Sequence, residues 1–427
     1  MNYLFKKIRI INPFQNLDEI ADLWIKDGVI VKIAKEISTT DNDIEIIDSQ
    51  TLVASPGFFD MHVHFRDPGF EYKEDLRTGA ESAANGGFTG VLIMPNTKPP
   101  IHDKTVVEYI KSNTQNSIVD IYISGTITQN QEGKLISNML EMNEHGVKLF
   151  TDDGKCVMNS DVMRRAFDYA TPKDLLISQH CEDIFLTEGF DMNESEISVK
   201  LGLKGYPSIA EEVILYRDIL LSEYCGNRRY HAQHLSTQNS VDLIRYAKRK
   251  GLRVTCEVTP HHFSLTEDTL TSYNTNFKMN PPLRKANDLQ AIKEGLKDGT
   301  IDVIATDHAP HSNLEKEVEF DKAPNGIIGL ETAFGLSVTH LVEENWLTIN
   351  QLIEKMSVNP RKILHLPPIS FQENLQANIT IFDPKEEWIV NKTNFKSKSQ
   401  NTPFDNLKLK GKVKFIFNNN KVYKSSL

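Results

Sequence analysis

Two periodicities divide the chain. From Tyr3 to about Leu52 short segments alternate apolar and polar positions, as in Ala21-Asp22-Leu23-Trp24-Ile25, the turn Lys26-Asp27-Gly28, and Val29-Ile30-Val31-Lys32-Ile33. A period of two interrupted by turn residues predicts small β-hairpins. After Pro56 the pattern changes to compact apolar runs separated by stretches of helical period, the alternation of βα units around a parallel sheet. Eight runs read as strands: Gly57 to His64, Thr89 to Met94, Ile118 to Ser124, Gly146 to Phe150, Leu175 to His180, Tyr230 to His234, Arg253 to Val258 and Asp302 to Thr306. Between them Thr105 to Ser112, Ser160 to Tyr169, Ile209 to Leu221 and Ser240 to Lys250 carry apolar residues at helical spacing, several opening on a Ser or Thr able to cap. Beyond Pro367 and Pro368 short strands return, among them Ala377 to Phe382 and Val413 to Phe417.

Eight strand–helix units over roughly 300 residues match the size of a (β/α)8 TIM barrel, with a doubly wound sheet as the rival. The division that follows assigns 1–53 to the N-terminal part of a small β-sandwich, 54–366 to the barrel, and 367–427 to the C-terminal part of the same sandwich. Chain termini often lie close together, which lets both ends share one domain.

Composition narrows the function. With 39% apolar and 25% charged residues the chain has the balance of a globular protein with a large core. The net charge of −10 is spread along the chain without a run of Lys and Arg, which argues against nucleic acid as a partner. The start MNYLFKKIRIINPFQN places charges where a signal peptide needs its apolar core, and no apolar run is long enough to span a bilayer. A cytoplasmic protein with no membrane partner is expected. Cys156, Cys181, Cys225 and Cys256 form no CxxC pair, so neither a thiolate zinc knuckle nor a disulfide framework is indicated.

The chemistry starts at Asp60-Met61-His62-Val63-His64. Residues two apart on a strand project from one side, so His62 and His64 present two imidazoles together. An isolated H-x-H reads equally as two structural histidines. The ends of the other strands change that balance: strand four runs into Thr151-Asp152-Asp153-Gly154, strand five ends at His180, strand six at His234 and strand eight at Asp307. In a barrel those tips converge on the catalytic face. Buried imidazoles and carboxylates need a partner, and a divalent cation is the simplest common one. Nitrogen and oxygen donors without thiolates suit a catalytic Zn2+ that keeps a position open for water. Arg66 shares the face of His64, where a guanidinium can grip a carboxylate through two parallel hydrogen bonds.

The run Asp60-Met61-His62-Val63-His64-Phe65-Arg66-Asp67-Pro68-Gly69 resembles the signature of the dihydroorotase family within the amidohydrolases. Further matches follow in order: Met94-Pro95-Asn96-Thr97, Phe150 to Gly154, Gln179-His180-Cys181-Glu182, His234-Leu235-Ser236-Thr237, Thr259-Pro260-His261-His262, Asn280-Pro281-Pro282-Leu283-Arg284, Ala305 to His311, and Gly326 to Thr332. The resemblance implies that His62, His64 and Asp307 hold one metal, that His180 and His234 hold a second, and that Asp153 bridges or completes the pair, giving one or two Zn2+ per chain. Many amidohydrolases bridge with a carboxylated lysine, for which Lys148 is the candidate. The turn before Gly154 leaves Asp152 competing with Asp153, and the Asp-Asp-Gly run favours Asp153.

It further implies that Arg66, Asn96 and His311 bind a substrate carboxylate, while Asn280 and the backbone around Asn325 and Gly326 read a pyrimidine edge. Asn325 stands where the family pattern has another residue. The implied reaction is the reversible cyclisation of N-carbamoyl-L-aspartate to L-dihydroorotate in UMP biosynthesis, by a metal-bound hydroxide with Asp307 as general base and then general acid. Two rivals differ: an allantoinase or dihydropyrimidinase-like cyclic amidase needs no carboxylate clamp, and a silent scaffold barrel would have lost metal ligands. Besides the small-molecule substrate, a homodimer and a complex with aspartate transcarbamoylase stay open as partners. His261 and His262 read as structural, Cys181 as a buried filler, and Glu315 to Glu319 as a solvated, mobile loop.

Overall fold

The computed structural model describes all 427 residues. The alternating N-terminal segments form β1 (Asn2–Asn12), β2 (Leu17–Lys26) and β3 (Val29–Ala34), paired antiparallel in that order. The β2–β3 loop is Asp27-Gly28, with φ 50° and 79°. Both central residues are left-handed, as a two-residue turn matched to strand twist requires, and a Cβ on Gly28 would meet the Asn420 backbone at 2.3 Å. β4 (Glu45–Asp48) and β5 (Val53–Pro56) add to β1 in parallel.

All eight expected barrel strands form. They are β6 (Phe58–Val63), β7 (Phe88–Ile93), β8 (Asp120–Gly125), β9 (Leu149–Phe150), β10 (Ile177–Gln179), then, after a separate pair β11 (Met192–Asn193) and β12 (Gly205–Tyr206), β13 (Tyr230–Ala232), β14 (Val254–Val258) and β15 (Val303–Ile304). They lie parallel in chain order, and the ring closes where His64 N donates to His308 O at 2.9 Å. Several are shorter than their apolar runs, because the tip residues leave the ladder: His234 and Asp307 adopt φ 28° and 49°.

Helices Lys104–Thr114, Ser160–Tyr169, Ile209–Tyr224 and Gln238–Arg249 occupy the stretches of helical period. Thr237 caps the last of these, whereas Asp103 and Asn159 cap the first two; their short carboxylate and amide side chains reach the free N–H groups equally well. Phe59, Met61, Leu92, Met94, Leu149, Leu176, Val303 and Ala305 form one buried cluster with Ile363, Leu364 and Leu366. The barrel interior is thus a packed core, and its C-terminal mouth is left for chemistry.

The terminal domain is completed by β16 (Ile379–Ile389), β17 (Lys408–Asn418) and β18 (Lys421–Lys424), in the order β18-β17-β16-β5-β1-β2-β3. β17 and β1 are three places apart, which in a flat sheet is ~14 Å. Yet the Tyr3 and Phe417 rings lie 5.6 Å apart, as do Phe5 and Phe415. The sheet therefore folds over itself as a sandwich around Phe5, Ile8, Leu23, Ile379, Ile381 and Phe417. Between β16 and β17 the chain leaves this sheet, and a strap at 395–402 returns to the barrel mouth. No helix is long and apolar enough to cross a membrane.

Candidate active site

The strand tips meet in a cleft of about 230 Å³ lined by His64, Arg66, Asn96, Asp153, His180, His234, Asn280, Asp307, His311, Asn325 and Gly326, with Gly154 and Ala309 between them. His62 lies beneath it and is buried. Every residue expected at the site is therefore in one place.

His62 Nε2 lies 3.3 Å from Asp153 Oδ1 and 3.5 Å from Asp307 Oδ1, and His64 Nε2 lies 3.0 Å from Asp307 Oδ1 and 3.5 Å from Asp153 Oδ2. Donor atoms of His62, Asp153 and His234 form one group within 4.8 Å, and those of His62, His64 and Asp307 form another. His180 belongs to neither group. Its Nδ1 faces His234 Nε2 at 2.8 Å and its Nε2 faces Glu182 Oε2 at 2.7 Å.

Behind the imidazoles stand groups that fix their orientation. His62 Nδ1 donates to Glu257 Oε1 at 2.6 Å, and the other oxygen of Glu257 holds His231 at 3.1 Å. His64 Nδ1 meets Asn96 Oδ1 at 2.8 Å, and Asn96 Nδ2 donates to Asp153 Oδ2 at 3.3 Å. In His62 and His64 the contact engages Nδ1 and turns Nε2 toward the carboxylates of Asp153 and Asp307. Glu257 and Glu182 were not singled out from the sequence. The signal for Glu257 was present, since a carboxylate inside the apolar run Val254 to Val258 must be buried and therefore paired.

Asp152 and Asp153 diverge. Asp152 accepts from Thr128 N at 3.0 Å and from Thr128 Oγ1, facing away from the cluster, and burial pushes it up to about 6. Asp153 enters the cleft. Lys148 is at the other end of its strand: burial, Arg229 and Lys148 are among the causes that hold His365 below its usual value, and His365 sits beside Arg229 and Arg253 at the N-terminal ends of the strands. His262 bridges Thr259 Oγ1 and Pro281 O, and neither it nor His261 joins a donor group.

The electrostatics are those of crowded opposite charges. Burial opposes charge on His62, but Asp153, Glu257 and Asp307 outweigh it and hold the imidazole well above its usual value. Burial also opposes ionisation of Asp153 and Asp307, and the surrounding imidazoles, His62 foremost, hold both well below the carboxylate range. His234 falls to about 3, through burial and then the charges of His180 and His62.

Arg66 sits at φ 62°, and its Nε donates to Pro310 O at 3.3 Å. No carboxylate of the chain forms an ion pair with it. Opposite, His311 Nε2 donates to Asn325 O at 2.9 Å, and Asn280 Nδ2 donates to Glu182 Oε2 at 2.9 Å. The side-chain oxygens of Asn280 and Asn325 are buried without a partner. Gly326 has φ 123°, and a Cβ there would lie 2.7 Å from the Ala309 Cβ, so only glycine fits.

The stretch expected to be a solvated loop is only partly so. Asn313–Lys316 is a helical turn, and Lys316 is buried with its ammonium on Pro324 O (2.9 Å) and Gly326 O (3.1 Å). One lysine turned inward can satisfy several carbonyls of the next loop, which a charge count along the sequence does not reveal.

A family model described as dihydro-orotase-like matches residues 51–240. The chain is 47% identical over 414 residues to the dihydroorotase of Syntrophus aciditrophicus, with 97% of each chain covered, and 46% identical over 420 residues to that of Acetivibrio thermocellus, with 98% of each covered. Among solved structures the L-hydantoinase (dihydropyrimidinase) of Arthrobacter aurescens superposes with a TM-score of 0.85 at 24% identity, covering 99% of this chain and 96% of its own. A likeness at that identity speaks for the fold alone.

Proposed function

The chain belongs to the dihydroorotase family, and from that premise we propose that it interconverts N-carbamoyl-L-aspartate and L-dihydroorotate in pyrimidine synthesis, as a cytoplasmic enzyme. Four buried, unpaired thiols suit a reducing compartment. The observation that carries the substrate is Arg66. A guanidinium in a cleft walled by imidazoles and carboxylates, with no counter-ion from the chain, is matched by a ligand that brings its own carboxylate. A hydantoin, allantoin or dihydropyrimidine lacks that group.

The donor set fits a metal centre. His62 Nε2 is buried without a hydrogen-bond partner among the carboxylates of Asp153 and Asp307. With Nε2 of His180 donating to Glu182, its Nδ1 faces His234 and is free to join it on a cation. His62, His64 and Asp307 would hold one ion, His180 and His234 a second, with Asp153 between them. The nitrogen and oxygen donors suit Zn2+. Bound there, the metal supplies Lewis-acid polarisation of the scissile carbonyl and makes water more acidic.

The chain's own residues do the rest. Asp307 has one carboxylate oxygen, Oδ1, on the side of His64 and the ion they would share, and the other, Oδ2, to take the proton of the attacking water and then return it to the departing ring nitrogen. Arg66, Asn96 and His311 hold the carboxylate, and Asn280 with the backbone at Asn325 and Gly326 holds the ring edge, so that the carbonyl meets its nucleophile in reacting geometry.

The purified protein is expected to carry one to two equivalents of zinc, and a His62→Ala, His64→Ala variant to lose most of it. Metal content undiminished in that variant would remove the H-x-H pair from the centre. The functional test compares dihydroorotate with allantoin and dihydrouracil. Ring closure consumes one proton, because a free carboxylate leaves as water. The equilibrium ratio should therefore shift toward dihydroorotate by about tenfold per unit fall in pH, or ~1.36 kcal/mol, above the carboxylate pKa. Reactions started from either compound must reach one ratio at each pH. Failure to close at mildly acidic pH with stable, metal-loaded protein that readily opens another cyclic amide would assign a different substrate.

A further inference from the structure

The strap at 395–402 belongs by sequence to the terminal domain, yet its contacts are with the barrel mouth. Two buried glutamates hold its backbone: Lys396 N and Ser397 N donate to Glu331 at 2.8 and 3.4 Å, and Lys398 N donates to Glu74 at 3.2 Å. The strap includes Asn401, which is 3% exposed and has both ends of its side-chain amide and its backbone carbonyl engaged. Its Oδ1 accepts from His311 N at 3.1 Å, its Nδ2 donates to Ala309 O at 3.0 Å and to Gly326 O at 3.1 Å, and its backbone carbonyl accepts from Ile328 N at 3.0 Å. Ala309, His311 and Gly326 all line the cleft.

One amide thus reinforces the seam between two adjoining loops at the recognition end, which also meet through Ala309 N on Ile327 O (2.8 Å) and His311 Nε2 on Asn325 O (2.9 Å). The requirement is specific: one acceptor and two donors in a fork, at the reach of a single methylene. Aspartate supplies no donor, and glutamine is one carbon too long. The Gly326 carbonyl is also gripped by Lys316, so without Asn401 the Gly326 side stays tethered while the other loop loses two contacts, at His311 N and Ala309 O, and shifts against it. None of these atoms reaches Asp307 or the imidazoles that surround it.

We propose that Asn401 is a positioning residue that sets the spacing between His311 and Gly326, and thereby the fit of a carboxylate-bearing ring. The inference rests on the dihydroorotase reading. Asn401→Ala is expected to raise KM for L-dihydroorotate by about tenfold to a hundredfold, with kcat within about threefold of wild type, because misplacement of binding groups by an ångström or less has effects of this size. Metal per chain should be unchanged. Asn401→Asp keeps the shape and the acceptor for His311 N but sets a carboxylate oxygen against the Ala309 and Gly326 carbonyls, so its KM should rise at least as much; Asn401→Ser, which removes the amide without adding a charge, carries the test should the alanine variant fail to fold. Lys398→Ala removes a different strap tether, the ammonium on Asp75 and on Glu71 O, and should leave KM at the wild-type value. An unmoved KM in a folded Asn401 variant, or the same KM change in Lys398→Ala, would overturn the proposal and leave the strap as a structural brace. A wild-type enzyme inactive on L-dihydroorotate would instead overturn the functional reading, and this inference with it.

Discussion

Asp307→Asn is expected to abolish turnover in both directions while the protein still folds. The residue sits at φ 49°, a left-handed conformation that asparagine tolerates better than most side chains, so the backbone has no new reason to move. The chemistry changes more. Burial works against its charge, but His62, His64 and His234 hold the carboxyl well below the usual range, so the wild-type group is an ionised acceptor at any working pH. An amide oxygen accepts a hydrogen bond but cannot take the proton from water and pass it on. General acid–base catalysis is worth 10²–10⁴, so kcat should fall by about 10³ or more, roughly 4 kcal/mol. Because no enzyme shifts an equilibrium, kcat/KM must fall by the same factor for closure and for opening. Bound metal measured on the same sample separates the two roles of the side chain. A variant that keeps its metal and a tenth of its activity would show that another group moves the proton.

Arg66→Met should be the next most damaging change, and for a different reason. The Arg66 guanidinium is held from one side by Pro310 O, and its other N–H groups find no carboxylate in the chain. Burial lowers its pKa, but Asp307 and Asp153 nearby favour the charged form, and a guanidinium does not deprotonate in a protein. A buried, two-pronged charged contact of this kind is worth about 2–5 kcal/mol, or roughly thirtyfold to several-thousandfold in kcat/KM on dihydroorotate. Methionine keeps the apolar stem, and it inherits the same left-handed backbone, so folding and metal content should stay close to wild type. Arg66→Lys, with a charge but no fork, should fall between. Wild-type kcat/KM in the methionine variant would mean that the carboxylate is gripped elsewhere, and would favour a cyclic amidase that acts on neutral rings.

Sequence alone placed the elements and the donors, because both follow from local period. A period of two turned His62 and His64 to one side of a strand, and apolar runs separated by helical stretches put Asp153, His180, His234 and Asp307 at neighbouring tips of one parallel sheet. Shared motifs then attached Arg66, Asn96, Asn280, His311, Asn325 and Gly326 to the same mouth. Local period reports which side of its own element a residue faces, and nothing about what stands opposite. It could not choose between Asp152 and Asp153, whose chain leaves the strand there; the choice came from Thr128, which captures Asp152 on the far side of the turn. It gave no hint that Glu257 would orient His62 from 195 positions away, or that Lys316 would turn inward from an acidic stretch. Least legible was Asn401, which lies 75 to 92 positions from the cleft residues it joins, in a segment whose neighbours in sequence form the other domain. Its partners are main-chain atoms, which leave no pattern of side-chain types along the chain, so only the folded backbone brings them within reach of one amide.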